Sequence, residues 1–381
     1  MNDPRYTKLA ELLIHHSTNL QAGEHILIEA FDMPREMIVE LIKVVHAVGG
    51  HAHVAIRDAQ IMRALHAGGS DQAFEAWSDY DLERMKRMDA YLGLRGSHNV
   101  SEASGIDAER QQALSRIYGI PVHMKQRLNH TKWCVLRWPT PAMAQLAGMN
   151  TEAFEDFYFD VCTLDYSRMA DAAEKLVAVM NETDQVHIQG PGDTDLRFSI
   201  KNIPARPCAG NMNIPDGEVF TAPVKDSVNG VIHYNTPSIY RGHSFENIRL
   251  EFKDGKIVGA TADQGEEHLE DIFNSDDGAR FVGEFAIGFN PFIKEAMKDI
   301  LFDEKIAGSM HFTPGNAYDD ACNGNKSEVH WDLVLIQRPE YGGGTISFDG
   351  NVIRKDGMFV DDRLLDLNPE NLIGESACCS L

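Results

Sequence analysis

The chain has 381 residues, 43% of them hydrophobic and 24% charged, with 31 glycines. That is enough for two domains of ordinary size, and it excludes a disordered, collagen-like or disulfide-stapled chain. A formal charge of −23 at pH 7 excludes an electrostatic grip on nucleic acid or anionic lipid, since either needs a local excess of Lys and Arg.

The opening MNDPRYTKLAELL lacks the basic cluster and apolar core of a secretory signal, and its amphipathic pattern runs from Tyr6 to Leu20. Strand-like and helix-like segments then alternate: His25 to Glu29 as strand, Pro34 to Val48 as helix, His51 to Arg57 as strand, with Gly49-Gly50 as the break. A polar helical stretch follows through Arg87, then Ala90 to Leu94 as strand, Asp107 to Ile117 as helix and Trp133 to Trp138 as strand. Strands recurring between helices of this length predict βαβ units and a parallel sheet covered on both faces. The turns after them carry no GxGxxG and no GxxxxGK[ST], so no dinucleotide or ATP site is expected. Thr140 to Met180 reads as helices with Thr151 as an N-cap, closing an N-terminal α/β domain of residues 1–184.

From 185 to 381 the pattern changes to short alternating strands: Gln185 to Gln189, Leu196 to Ile200, Val228 to Tyr234, Asn247 to Phe252 and Lys256 to Ala262. The hairpin signal Lys253-Asp254-Gly255-Lys256 joins the last two, and helices are expected at Glu266 to Asn274 and Asn290 to Ile300. The fold class is therefore α/β, a parallel-sheet domain followed by a β-rich α+β domain. No run approaches the ~18 apolar residues needed to cross a bilayer, so no membrane partner is expected. Cys134, Cys162, Cys208, Cys322, Cys378 and Cys379 form no CxxC pair and read as reduced thiols of a cytoplasmic protein. The terminal CCSL lacks the upstream polybasic run of a lipidation signal.

Potential ligands concentrate in the C-terminal half. MHFTPGNAY sets His311 and Tyr318 around a Thr-Pro-Gly turn, and SEVHWDLVLI sets His330 and Asp332 two apart at the start of an apolar run. Residues two apart in a strand share a face, so His330 and Asp332 can address one ion, and imidazole with carboxylate suits zinc, cobalt or manganese. Glu218 in PDGEVFTAP and Glu284 in VGEFAIGFNP are isolated carboxylates in apolar settings. Each is either turned to solvent or paired with a cation, because burial without a partner is costly. His15, His16, His51, His53, His98, His233 and His243 have no partner spacing, and no GxSxG elbow supports a serine nucleophile.

These blocks resemble the thermophilic aminopeptidase family, metallopeptidases of the aminopeptidase T, aminopeptidase S and PepS type. The resemblance runs from DPRYTKLAELLIHHSTNLQAGEHILIEA through WCVLRWPTPAMAQLAGM and FEDFYFDVC, and is densest in NIPDGEVFTAPVKDSVNG, GEFAIGFNP, HFTPGNAY and EVHWD. It implies Glu218, Glu284, His311, His330 and Asp332 as ligands of two divalent ions, zinc or cobalt with manganese and magnesium as alternatives. Tyr318, Glu218 and Glu284 are its implied catalytic groups. Peptides with a free N-terminus are the implied substrates, and the C-terminal domain is expected to build a homodimer. The same fold resembles dihydroxypyridine ring-cleaving dioxygenases with a single iron, and a broader metal-dependent amidase is a further alternative. Retention of both glutamates favours the two-ion peptidase.

Overall fold

The computed structural model describes residues 3–374; Cys378 and Cys379 lie outside the described residues. The chain divides into two compact units, one running to Thr163 and including Gly210–Ile214, the other comprising Leu164–Ala209 and the chain from Pro215 onward.

In the first unit, five parallel strands take the order His51–Arg57, His25–Phe31, Ala90–Arg95, Lys132–Arg137, Asn213–Ile214. Strand His25–Phe31 is interior, buried along its middle, and pairs in register with His51–Arg57 on one side and with Ala90–Arg95 on the other. This fits the near-continuous apolar run that a parallel sheet covered on both faces requires. Helix Arg35–Val48 ends at Gly49, whose φ of 83° closes the turn into the next strand. The helix over Thr151–Cys162 is capped one residue earlier than the sequence predicts: Asn150 accepts the Ala153 amide at 2.9 Å, and Thr151 is already helical. The predicted opening helix breaks into Pro4–Glu11 and a π-helical Leu12–Ser17.

The second unit starts with helix Tyr166–Glu182 and, among the described residues, carries two large antiparallel sheets and a two-stranded one, Ser238–Tyr240 with His243–Phe245. The larger has eight strands, in the order Lys256–Thr261, Arg249–Lys253, Asn229–His233, Asp195–Ser199, Gln185–Gln189, Thr345–Phe348, Asn351–Lys355, Met358–Phe359. Asp254 and Gly255, at φ 48° and 82°, make the predicted two-residue hairpin turn. The smaller sheet has the order Val334–Ile336, Ser309–Pro314, Val282–Gly288, Glu218–Thr221, Arg206–Cys208. On one of its faces Phe285 and Phe312 pack against Phe198, at ring-centroid distances of 5.0 and 4.9 Å.

The helix expected over Asn290 to Ile300 does not form, and only Ile300–Asp303 is helical. Local side-chain bonds capture this stretch instead. Asn290 accepts from the Phe292 amide and donates to the Asp216 carbonyl, Asp303 accepts from the Met297 amide, and Lys298 sits at φ 56°.

Candidate metal centre

Three strands of the smaller sheet deliver the first three of the residues singled out in the sequence. Val282–Gly288, Ser309–Pro314 and Glu218–Thr221 are buried along their whole length. Across the ladders Glu284 faces Thr313, Ala286 faces His311 and Gly288 faces Glu218. Directly paired residues share a face of an antiparallel sheet, so Glu218, Glu284 and His311 project from the same side. The small residues Ala286 and Gly288 leave the room between them. A Cβ at Gly288 would lie 2.7 Å from Ser309 Oγ and 2.8 Å from the Glu304 carbonyl.

The turn after Ser309–Pro314 brings in the other two. Gly315, at φ 105°, passes so close to the Val329 carbonyl that a Cβ there would sit 2.0 Å from it, and it bridges His330. Asn316 then accepts a hydrogen bond from His330 Nδ1 at 2.9 Å, which turns Nε2 toward the carboxylates. His330 to Leu333 is irregular backbone rather than the strand expected, and the regular strand begins at Val334. Even so His330 Nε2 and Asp332 Oδ1 lie 3.3 Å apart, and Thr313 Oγ1 donates to the same carboxylate at 2.8 Å.

Carboxylates and imidazoles therefore alternate in one chain. Glu218 Oε2 is 3.5 Å from His311 Nδ1, whose Nε2 is 3.2 Å from Glu284 Oε1. Glu284 Oε2 is 3.4 Å from His330 Nε2. Glu284 thus belongs to two donor groups, one with Glu218 and His311 and one with His330 and Asp332. Burial pulls both imidazoles down, but the carboxylates outweigh it: Glu218 and Glu284 hold His311 up to about 10, and Asp332 and Glu284 hold His330 up to about 12. Burial likewise opposes ionisation of Asp332, yet His330 and His311 hold its carboxyl well below the usual range. Protons on these imidazoles offset part of the carboxylate charge, and an ion bound there would displace them.

The residues fit divalent ions by an observation independent of charge. Glu218 Oε2, His311 Nδ1 and His330 Nε2 are buried and have no hydrogen-bond partner, although each lies within 3.5 Å of an atom of this set. Buried polar atoms without partners are rare and call for an ion or a water. Nitrogen and oxygen donors with no thiolate among these five suit zinc, cobalt or manganese.

Three further groups escaped the sequence reading. Lys305 is 1% exposed and places its ammonium 2.5 Å from Glu218, 2.8 Å from Glu304 and 3.4 Å from Asp216. Glu304 forms a donor group with His311 and Asp332, and Asp216 forms one with Cys208 and Glu218. Burial first, and then the Glu218 and Asp332 charges against the opposing Lys305, push the Glu304 carboxyl up to about 8. Asp216 had a readable signal, two residues before Glu218. FDEKIAG did not, because a short charged run reads as a solvated turn.

Tyr318 flanks the set rather than joining it, with its ring 4.8 Å from that of His330 and 5.7 Å from that of Phe220. Nearly half of the residue's surface is open, at 47%, yet its hydroxyl is densely surrounded. Burial, then Glu284 and Asp332, raise the phenol well above its usual pKa, which keeps it a proton donor.

The family model described as thermophilic metalloprotease (M29) matches residues 2–359. Aminopeptidase T of Thermus aquaticus is 29% identical, with 93% of this chain and 95% of that protein covered. Wild-type AmpT from Thermus thermophilus superposes with a TM-score of 0.76 at 25% identity, over 94% of this chain and 99% of the other. A 2,5-dihydroxypyridine dioxygenase from Pseudomonas putida KT2440 gives a TM-score of 0.61 at 13% identity, over 96% and 99%, which shows the shared fold alone.

Proposed function

The chain belongs to the M29 thermophilic metalloprotease family and is thereby a peptide hydrolase of the aminopeptidase type, and from that membership we propose that it removes N-terminal residues from unblocked peptides at a centre of two divalent ions. The observation that carries the second half of this reading is Glu284, whose two oxygens face two histidines and two donor groups at once. Glu218, Glu284 and His311 would hold one ion, and Glu284, His330 and Asp332 the other. When bound, such a pair supplies Lewis acidity to the scissile carbonyl and brings the pKa of a water toward neutrality.

The chain's own groups do the rest. Asn316 and Thr313 fix His330 and Asp332 in place, and Lys305 holds one oxygen of Glu218 so that the other faces His311. Glu218 or Glu284 combines ion binding with proton transfer. The Tyr318 phenol donates to the carbonyl oxygen as negative charge develops there. Surrounding carboxylates favour the ammonium end of a peptide, and the acting form is a cytoplasmic homodimer. Zinc or cobalt is the expected metal. The dioxygenase reading rests on fold alone, and a lone iron would leave part of this donor set unused.

The test is cleavage of leucine p-nitroanilide against its N-acetylated form by the metal-loaded chain. Only the free amine should be cleaved. Equal cleavage of both would move the assignment to a broader amidase.

A further inference from the structure

We propose that a cavity of about 180 Å³ beside His330 and Asp332 receives the side chain of the peptide's N-terminal residue and selects bulky apolar ones. The proposal rests on the aminopeptidase reading and adds its substrate class.

The direction of approach follows from exposure. The side chains of Glu218 and Glu284 are 5% exposed and that of His311 1%, whereas His330 is 23% and Asp332 14% exposed. A substrate therefore meets the donor set from the His330 and Asp332 side, and the cavity is lined by these same two residues. Its volume falls well below the ~300 Å³ at which sites for drug-sized ligands begin. It holds one side chain rather than a whole dipeptide.

The walls decide which side chain. Trp331 and Tyr240 stack at 4.7 Å with 14° between their planes, and Val334 lies beside them. Ile239 and Ile300 complete the apolar lining while 49% and 40% exposed. Large aliphatic side chains left open at the rim of a cavity have apolar area still to bury. Part of the polar lining is already engaged within the protein. The Asp303 carboxyl already accepts the Met297 amide, and Trp331 Nε1 already donates to Ser238. A glycine would leave the cavity unfilled.

The experiment compares kcat/KM of the metal-loaded chain for leucine, phenylalanine, alanine and glycine p-nitroanilides. Leucine and phenylalanine should exceed glycine by about tenfold or more, the range that filling an apolar pocket gives. Ile239→Trp and Ile300→Trp, at half-open positions that tolerate a larger ring, should each lower the leucine-to-glycine ratio by about tenfold. A flat wild-type profile, or a ratio that neither variant moves, would overturn the proposal. If no unblocked anilide is cleaved, the aminopeptidase reading fails and the cavity is judged separately, by calorimetry with L-leucinamide and glycinamide. Tighter binding of leucinamide, weakened by either tryptophan, would uphold it, and equal binding would overturn it.

Discussion

Replacing Lys305 by Met removes a cation from the middle of three carboxylates while keeping a side chain of similar length. The ammonium is 1% exposed and touches Glu218 at 2.5 Å, Glu304 at 2.8 Å and Asp216 at 3.4 Å. Glu304, whose carboxyl is pushed up to about 8, can relieve part of the imbalance by keeping its proton. Glu218 then keeps His311 beside it but, like Asp216, loses the buried ammonium. Breaking a buried ion pair from one side costs about 3–5 kcal/mol. For a unit of this size each kcal/mol lowers Tm by about 2–4 °C, so metal-free Lys305→Met should melt about 6–20 °C below wild type. Calorimetry with a chelator present reads this directly. A bound ion neutralises Glu218 in part, so the deficit should narrow when zinc is added, as linkage requires. A loss below about 1 kcal/mol in the metal-free protein would refute the reasoning, because a lysine in that position cannot be both buried and dispensable.

Tyr318→Phe keeps the ring against Phe220 and His330 but loses the donor. Its kcat should fall about 10²- to 10³-fold with metal retained, and loss of metal would make Tyr318 a ligand instead. His330→Ala or Asp332→Ala should abolish both metal retention and turnover, read by elemental analysis beside the rate; a variant that keeps its metal would remove that residue from the donor set. In the first unit burial holds His123 down to about 4, with Glu29 opposing and Arg127 and Arg95 adding to the shift. The neutral ring then contributes stability that is complete above the unfolded pKa of about 6.5 and is lost as pH falls toward 4, by about 3 kcal/mol at most. His123→Phe should flatten Tm against pH in that window, and an unchanged slope would show that other groups carry the acid sensitivity.

Four strands of the parallel sheet and five of the larger antiparallel sheet were legible because their side chains alternate or run apolar between clear breaks, whereas the smaller sheet that carries the site, with strands buried along their whole length, was not. His51–Arg57 and Gln185–Gln189 begin and end where the pattern does. The helix expected over Asn290 to Ile300 was not, because its periodicity competes with Asn290 and Asp303, which bind backbone amides locally. Among the site residues, Glu218 and Glu284 stood out through the cost of burying a carboxylate, and both are 4% exposed. His330 and Asp332 converge for a reason different from strand alternation, namely the Gly315 turn and the Asn316 carbonyl. Lys305 and Glu304 were invisible, since only the tertiary fold distinguishes a buried charged run from a solvated one.

The proposed two-ion centre depends on Glu284 belonging to both donor groups. Equilibrium dialysis of the chelator-treated chain against zinc, followed by elemental analysis, counts the ions directly. Two per chain at saturation in the wild type, with Glu284→Ala weakening retention of both, is the result expected from a shared carboxylate. Saturation at a single ion per chain, unaffected by loss of Glu218, would contradict it.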